Sequence, residues 1–283
     1  ADIQPVDLVY DDVFRLVGYR LHPATVRPAE PLALTLYWQL LQPVELNYSV
    51  FVHLLGRQRQ VIGQVDTYPG GGLWPSTLLA PGSIVADDYE VPVPPETEYT
   101  QAPSRLQIAT GIYNYDEPGR PGRLARNAAG QPVDPIIATA KLVPWQWPEP
   151  AQLDPPVNFF EKASLLSFQL ADDQQSVTLN WQANDRFETD YTVFLQAWHA
   201  TEGEYVTGFD GPPVQGDYPT TYWSPGEIIV DEHPLDLTAL APGTYHLLGG
   251  LYNPATGARL PAFGPDGPLP DYAVKLGTLK VEE

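Results

Sequence analysis

The sequence predicts an all-β protein made of two tandem antiparallel β-sandwich domains that are related by internal duplication. Three observations lead to this prediction. The second half of the chain repeats motifs of the first half at an offset of roughly 140 residues, a common length for one domain. Short apolar runs alternate with polar residues, as in half-buried strands. The 32 prolines lie largely in the gaps between these runs, where they favour loops over helices.

The internal repeat keeps both the motifs and their order. Leu-Tyr-Trp-Gln at residues 36–39 returns as Leu-Asn-Trp-Gln at 179–182, and each copy is followed by a Tyr-Ser/Thr-Val-Phe segment. Further matching segments are 64–66 with 208–210, 81–87 with 225–231, 111–114 with 250–253, and 123–124 with 259–260. We interpret the repeat as two copies of one domain, with short insertions in the loops.

The strand pattern is clearest around the two repeated tryptophans. One apolar face is shared by Leu32, Leu34, Leu36 and Trp38, and the matching face by Val177, Leu179 and Trp181. Both tryptophans are therefore predicted to point into a core. Other strands are predicted near residues 14–21, 48–55, 61–66, 84–93, 106–113 and 136–143, with counterparts in the second half. Seven or eight short strands per copy, separated by turn residues, are typical of a β-sandwich.

The domain boundaries follow from a proline-rich segment. Residues 144–156 contain five prolines and predict an extended, semi-rigid linker between a first domain at 1–143 and a second domain at 157–283. The linker also carries Trp145 and Trp147, which would expose a large apolar area to water. We expect them to pack between the domains, with ligand stacking as the alternative.

The composition excludes several classes of partner. A net charge of −20 disfavours nucleic acid and anionic lipid, because both carry negative charge themselves. No apolar run is long enough to span a membrane. Cysteine is absent, which removes disulfides and thiolate chemistry. Methionine is also absent, even at position 1, so we expect a processed protein or a piece of a longer one.

The sequence shows no recognisable catalytic motif. It contains no zinc-protease, nucleophile-elbow or phosphate-loop pattern. The repeat keeps no histidine in both copies, since His53 aligns with Gln196 and His246 with Gln107. We therefore predict a protein that is not an enzyme. A glycoside hydrolase stays open as a minor alternative, because it needs only two carboxylates.

Four aspartates are shared between the copies, as the pairs Asp66 with Asp210 and Asp87 with Asp231. Each lies beside Pro- or Gly-containing turns. One interpretation is that these carboxylates accept hydrogen bonds from turn N–H groups. The other is a calcium site that combines an aspartate with loop carbonyls, which makes calcium the one cofactor under consideration.

Aromatic residues in the Gly- and Pro-rich connections are the candidate ligand-binding residues. They are Tyr68, Trp74, Tyr218, Tyr222 and Trp223. Loop aromatics beside polar groups can stack on sugar rings or anchor a partner protein. Alternatively, they fold back and cover the open end of each sandwich.

The repeated motifs resemble a known module. The order Tyr-Trp-Gln at 37–39, Tyr-Ser-Val-Phe-Val-His-Leu at 48–54, Pro-Gly at 81–82 and Gly-Ile-Tyr at 111–113 is similar to a module of Chloroflexota-type bacteria. There it forms extracytoplasmic β-sandwich segments that follow the membrane region of large glycosyltransferase-like proteins of the dolichyl-phosphate-mannose type. The resemblance implies tandem β-sandwich repeats that are either secreted or on the cell surface as part of a larger membrane-anchored chain.

These observations favour a non-catalytic extracytoplasmic accessory or interaction module that binds envelope glycan or a glycosyltransferase partner. The alternative is a structural subunit of an envelope layer or filament with no small ligand. Ligand binding requires exposed aromatics in a groove, whereas a structural role requires the same aromatics to be buried in contacts. The sequence leaves the oligomeric state open.

Overall fold

A computed structural model describes residues 2–153 and 155–282 of the chain. The chain divides into two compact units, Ala1–Trp145 and Gln146–Glu283, and the division falls inside the predicted linker. Both units are built almost wholly of β-strands, as predicted. Within the described residues, the helical segments are 3-10 turns of three or four residues, and no helix is long and apolar enough to cross a membrane.

The described residues of unit 1 form ten strands in two sheets. The strands are β1 (Gln4–Tyr10), β2 (Phe14–Leu21), β3 (Thr25–Val26), β4 (Pro31–Leu40), β5 (Tyr48–Leu55), β6 (Val61–Thr67), β7 (Ile84–Pro92), β8 (Ser104–Asn114), β9 (Ala125–Arg126) and β10 (Ile136–Leu142). The first sheet has the order β7-β4-β2-β1-β9 and the second β3-β10-β8-β5-β6. All neighbouring strands are antiparallel except the β3–β10 pair.

The core of unit 1 lies between its two sheets. Buried side chains from both sheets form one apolar cluster, as the alternating pattern of β4 predicts. Trp38 is fully buried in it, with ring centroids 5.4 Å from Tyr10 and 6.3 Å from Phe14. The alternation leaves the other face of each sheet toward solvent.

Unit 2, over the residues that the structure describes, also has ten strands in two sheets. They are β11 (Val157–Phe159), β12 (Ala163–Leu170), β13 (Ser176–Ala183), β14 (Thr192–His199), β15 (Tyr205–Gly208), β16 (Ile228–Pro234), β17 (Gly243–Tyr252), β18 (Ala262–Gly264), β19 (Gly267–Pro268) and β20 (Val274–Val281). The sheet orders are β16-β13-β12-β11-β18-β19 and β15-β14-β17-β20. Trp181 is buried in the core, with a ring centroid 5.2 Å from that of Phe159.

The strand order of unit 2 follows that of unit 1. The run β7-β4-β2-β1-β9 corresponds to β16-β13-β12-β11-β18, and β6-β5-β8-β10 to β15-β14-β17-β20. Trp38 and Trp181 stand at the same place in corresponding strands. The two halves thus have matching topology in the order of the sequence repeat, while their common origin stays an interpretation.

Trp145, at the end of unit 1, lies on its own unit. The indole Nε1 donates a hydrogen bond of 3.1 Å to the Pro28 carbonyl, and the Arg27 guanidinium carbon lies 5.1 Å from the ring centroid. The side chain still keeps 65% of its surface exposed. The expected packing of Trp145 and Trp147 between the domains stays a prediction.

Candidate functional site

The outer face of the second sheet of unit 1 carries an aromatic floor. Phe51 and His53 lie on the outer face of β5 and are half-buried, whereas Val52 between them points into the core. Phe51 pairs in register with Gly111 of β8. A Cβ atom at Gly111 would lie 2.7 Å from two carbons of the Phe51 ring, so the glycine allows the ring to lie flat on the strand. The His53 ring continues this surface, with a centroid distance of 4.6 Å.

Polar groups border the aromatic floor on both sides. On β6, Asp66 lies opposite Phe51 and Gln64 opposite His53, and both side chains are exposed. On β8, Tyr113 lies close enough to Asp66 and to Ser49 for both to influence the pKa of its hydroxyl. Burial and the neighbouring Asp66 charge raise the pKa of Tyr113, so the phenol stays neutral and available as a hydrogen-bonding group.

The connection after β8 forms the rim. Tyr115 is 51% exposed, and the guanidinium carbon of Arg120 lies 3.6 Å from its ring centroid. Arg120 Nε also donates to the Tyr115 carbonyl at 3.3 Å. Floor and rim together enclose a groove of about 940 Å³. Its lining comprises Ser49, Phe51, His53, Gln64, Asp66, Thr67, Tyr68, Ala109, Tyr113, Tyr115, Arg120, Gly122 and Pro135.

The groove offers neutral hydrogen-bonding groups beside apolar rings. Burial lowers the pKa of His53, and the nearby Asp66 charge only partly opposes this, so the imidazole is neutral near pH 7. A neutral imidazole supplies one donor and one acceptor. Of the described residues that line the groove, Asp66 is the single carboxylate. The pair of carboxylates that glycoside hydrolysis uses is therefore not present among these lining residues.

Unit 2 repeats the floor and the polar border at the corresponding place. Phe194 of β14 pairs with Gly250 of β17, where an added Cβ would again lie 2.7 Å from the phenyl ring. Tyr252 lies beside Asp210 and Thr192, and its pKa is raised by burial first and by Asp210 second. These groups stand where Phe51, Gly111, Tyr113, Asp66 and Ser49 stand in unit 1.

An arginine side chain covers this place in unit 2. The Arg259 guanidinium carbon lies 4.2 Å from the Phe194 ring centroid, and Phe194 is only 2% exposed. Arg259 donates hydrogen bonds of 2.9 Å to Gln196 Oε1 and to the Asp271 carbonyl. The remaining cavity measures about 240 Å³. The corresponding groove in unit 1 is therefore the larger and more accessible one.

In unit 1 the matching arginine is held elsewhere. Arg123 forms ion pairs with Glu117 and with Asp11, the latter at 3.6 Å. Its guanidinium carbon also lies 5.6 Å from the Tyr48 ring centroid. Because two carboxylates hold Arg123, the face of Phe51 stays uncovered.

The shared aspartates fall into two kinds. Asp87 and Asp231 are buried and hold a loop against the core, since Asp87 Oδ1 accepts from the Gly70 N–H at 3.0 Å and Asp231 Oδ1 accepts from the Val214 N–H at 2.8 Å. Both carboxylates thus accept hydrogen bonds from loop N–H groups, as the first interpretation of the shared aspartates expected. Asp66 and Asp210 are exposed and line the two cavities. Among the described residues, no group of three or more acidic or histidine side chains is arranged to hold a metal ion.

Two of the five predicted ligand-binding aromatics belong to the core of unit 2. Tyr218 is fully buried and donates to Glu227 Oε2 at 2.7 Å. Trp223 is 1% exposed and packs between Trp181 and Phe187. They cover the core, as the alternative interpretation expected, and we leave them out of the candidate site. The reason is that the short 3-10 turn at Thr220–Tyr222 folds this connection back onto the sandwich.

The other three aromatics occupy different surroundings. Tyr222 is half-buried and packs against the core of unit 2. Trp74 is 46% exposed and lies outside the groove lining. Tyr68 directly follows β6 and lines the groove. Tyr68 is thus the one residue of this set that the structure brings together with Asp66.

Sequence reasoning missed most of the groove residues: Phe51, His53, Tyr113, Tyr115 and Arg120. A signal was present, since Phe51 with Phe194, Gly111 with Gly250 and Tyr113 with Tyr252 are all kept by the repeat. A glycine retained opposite a phenylalanine in both copies indicates a ring lying on the neighbouring strand.

Comparisons with known proteins identify no family. No protein-family model matches the chain, and neither does any curated protein. Among solved structures, the chain is similar to a DUF4785 family protein from Legionella pneumophila, with 8% identity and a TM-score of 0.26. The match covers 92% of this chain and 57% of that protein. A likeness at this score carries no argument about function.

Proposed function

We propose that the chain is a non-catalytic, extracytoplasmic binding module whose ligand site is the groove on the outer face of β5, β6 and β8. One observation carries this proposal. Phe51 presents a half-exposed ring beside the neutral His53, and Asp66 lies opposite Phe51 on the neighbouring strand. Apolar rings combined with a few fixed polar groups are the usual composition of a small-ligand site.

The ligand class that fits these groups best is a neutral carbohydrate. A sugar ring has an apolar C–H face that packs on an aromatic ring and hydroxyl groups that need both donors and acceptors. His53, Gln64 and Tyr113 supply both, and Asp66 accepts from two hydroxyls. A volume of about 940 Å³ lies within the range of ligand sites and leaves room for several sugar units. The net charge of −20 disfavours polyanionic glycans.

The place of action rests on the resemblance to extracytoplasmic glycosyltransferase-linked modules. An acidic, cysteine-free β-protein with an exposed sugar groove suits a role next to an enzyme that builds envelope glycan. In that role the module holds the glycan, while the enzyme performs the chemistry.

A structural or protein-binding role is the second candidate, and one observation favours it. The connection between β6 and β7 exposes Leu73 and Leu78 at 80% each and Trp74 at 46%. Large apolar side chains exposed together are typical of contact surfaces. Light scattering of the wild type and of the Leu73→Ser and Leu78→Ser variants tests this role. An oligomer of the wild type in solution that dissociates in both variants would support it.

The deciding experiment is a glycan-array screen of the purified chain, run once with calcium and once with EDTA, followed by titration calorimetry. Phe51→Ala should weaken binding of the best glycan at least tenfold. Tyr205→Ala is the matched control, because Tyr205 is an exposed aromatic on a strand of unit 2. Binding lost in EDTA would show that it depends on a divalent cation such as calcium. Absence of any glycan binding in both conditions would refute the carbohydrate proposal.

A further inference from the structure

The cavity of unit 2 has the parts of a ligand site. Phe194 lies on Gly250 as Phe51 lies on Gly111. Tyr252 and Asp210 line this cavity as Tyr113 and Asp66 line the groove of unit 1, and in each pair the aspartate charge raises the pKa of the tyrosine. These are outward-facing positions, so packing of the core does not require their identity.

At the remaining position of the polar border, the two units carry different residues with similar hydrogen-bonding groups. Gln196 takes the place of His53, and both pair with the strand at the edge of the sheet. A neutral imidazole and an amide each provide a donor and an acceptor. The face that unit 2 would offer to a ligand is therefore nearly the same as the face that unit 1 offers.

The difference between the two cavities is the covering group. Arg259 lies on the Phe194 ring and donates to Gln196, so it already makes the contacts that a planar ligand would make there. It occupies both the stacking surface and one polar group of the border. What remains is a cavity of about 240 Å³.

The covering arginine is held less firmly than its counterpart. Arg259 hydrogen-bonds to an amide oxygen and to a backbone carbonyl, both uncharged. Arg123 is held by the carboxylates of Glu117 and Asp11. An arginine held by carboxylates forms ion pairs in addition to hydrogen bonds, whereas one held by neutral oxygens forms hydrogen bonds alone. A ligand that stacks on Phe194 therefore breaks no ion pair of Arg259 among the described residues.

We propose that unit 2 holds a second site for the same class of ligand, a neutral oligosaccharide, and that the Arg259 side chain fills it. The ligand class rests on the proposed function of unit 1, whereas the presence of the site rests on the geometry of unit 2. Displacing or removing Arg259 uncovers the Phe194 ring beside Gln196, Asp210 and Tyr252. The protein then has two equivalent binding surfaces instead of one.

The test is titration calorimetry with four probes: cellotetraose, xylotetraose, mannotetraose and chitotetraose. The proteins are the wild type, Phe51→Ala, Arg259→Ala and the double variant, with Arg186→Ala as an exposed-arginine control in unit 2. If Arg259→Ala does not fold, Arg259→Gln replaces it, because the shorter amide uncovers the ring while keeping a donor. Folding is checked by circular dichroism.

Each outcome of the titrations either supports or overturns the second site. Binding of one probe per wild-type chain and of two per Arg259→Ala chain, with one remaining in the double variant, supports the second site. One site in both the wild type and Arg259→Ala overturns it and leaves the unit 1 proposal intact. No binding by the wild type but binding by Arg259→Ala supports the second site and refutes the groove of unit 1. No binding by any protein overturns both.

Discussion

The indole Nε1 of Trp181 donates a hydrogen bond of 3.2 Å to Oδ2 of Asp231, and both side chains are fully buried. The same oxygen lies 2.9 Å from His233 Nε2. Because Oδ1 receives the Val214 N–H, this carboxylate joins the core tryptophan, a strand and a loop. A buried acid is stable only when such donors surround it.

Unit 1 keeps the same two residue types but connects them differently. Asp87 Oδ2 accepts from the Tyr89 hydroxyl, where unit 2 has His233. The indole Nε1 of Trp38 has no hydrogen-bond partner among the described residues. Both units therefore keep the tryptophan and the aspartate, but among the described residues the hydrogen bond between them is formed only in unit 2.

This difference predicts unequal costs for one substitution. Trp181→Phe removes a donor from a buried carboxylate, whereas Trp38→Phe removes an N–H that is already without a partner. Both variants lose similar packing volume. We expect Trp181→Phe to lower the free energy of unfolding by about 1–3 kcal/mol more than Trp38→Phe. Urea unfolding, with hydrogen exchange resolved by unit, measures the difference; equal losses would contradict the role given to the Trp181–Asp231 bond.

Asp87 predicts a pH effect in unit 1. Burial raises the pKa of Asp87, although the hydrogen bonds from Tyr89 and Gly70 oppose this shift. The folded state therefore holds its proton to a higher pH than the unfolded state, whose pKa is near 3.8. The contribution of Asp87 to stability is thus largest below pH 3.8 and falls as the pH rises through the folded pKa.

Asp87→Asn removes this titration. Relative to the wild type, the variant should gain stability as the pH rises from 3.8 through the folded pKa of Asp87. Other acids titrate in the same range, so the quantity to compare is the difference in stability between the variant and the wild type at each pH. Melting curves from pH 3 to 7 provide it, with Asp266→Asn as an exposed control. A difference that does not vary with pH would show that Asp87 is not the titrating group.

Residue types and spacing were sufficient to predict the fold. The period-two pattern located β4 and β13 and placed Trp38 and Trp181 inside, because a strand with one buried face must alternate. The same rule failed for β5, where apolar residues occupy both faces. The pattern of β5 therefore does not predict which face Phe51 occupies, and the structure places it on the outer face of the sheet.

The loops were the least predictable part of the candidate site. Tyr218 and Trp223 lie in a Pro- and Gly-containing connection that looks exposed in the sequence. Their burial depends on a short 3-10 turn and on the acceptor Glu227, neither of which has a periodic signal. Covering of Phe194 by Arg259 likewise depends on side-chain direction, which the sequence repeat does not encode.

His53 predicts an opposite pH effect from that of Asp87. Burial lowers the pKa of His53 below its ordinary 6.5. The unfolded chain therefore takes up a proton first as the pH falls, so stability is lost from pH 6.5 down to the folded pKa. His53→Gln installs the residue found at this place in unit 2 and removes the titration. Its loss of stability below pH 6.5 should be smaller than that of the wild type, as measured by thermal melting; an identical loss would contradict the assignment.

The two floor glycines predict the last difference. Gly111→Ala places a Cβ atom 2.7 Å from the Phe51 ring. Phe51 is half-exposed, so its ring can tilt into the groove at a modest cost in stability. The flat binding surface is then lost, and glycan binding should fall at least tenfold.

Gly250→Ala should instead cost more stability. Its Cβ would meet the Phe194 ring at 2.7 Å and the Tyr272 backbone carbonyl at 3.0 Å. Arg259 covers the ring from above, so neither neighbour can move freely. Overpacking of this kind typically costs about 1–3 kcal/mol. Urea unfolding measures the loss in free energy of unfolding for both variants. A larger loss for Gly111→Ala would show that Phe194 and Arg259 move aside more easily than Phe51 does.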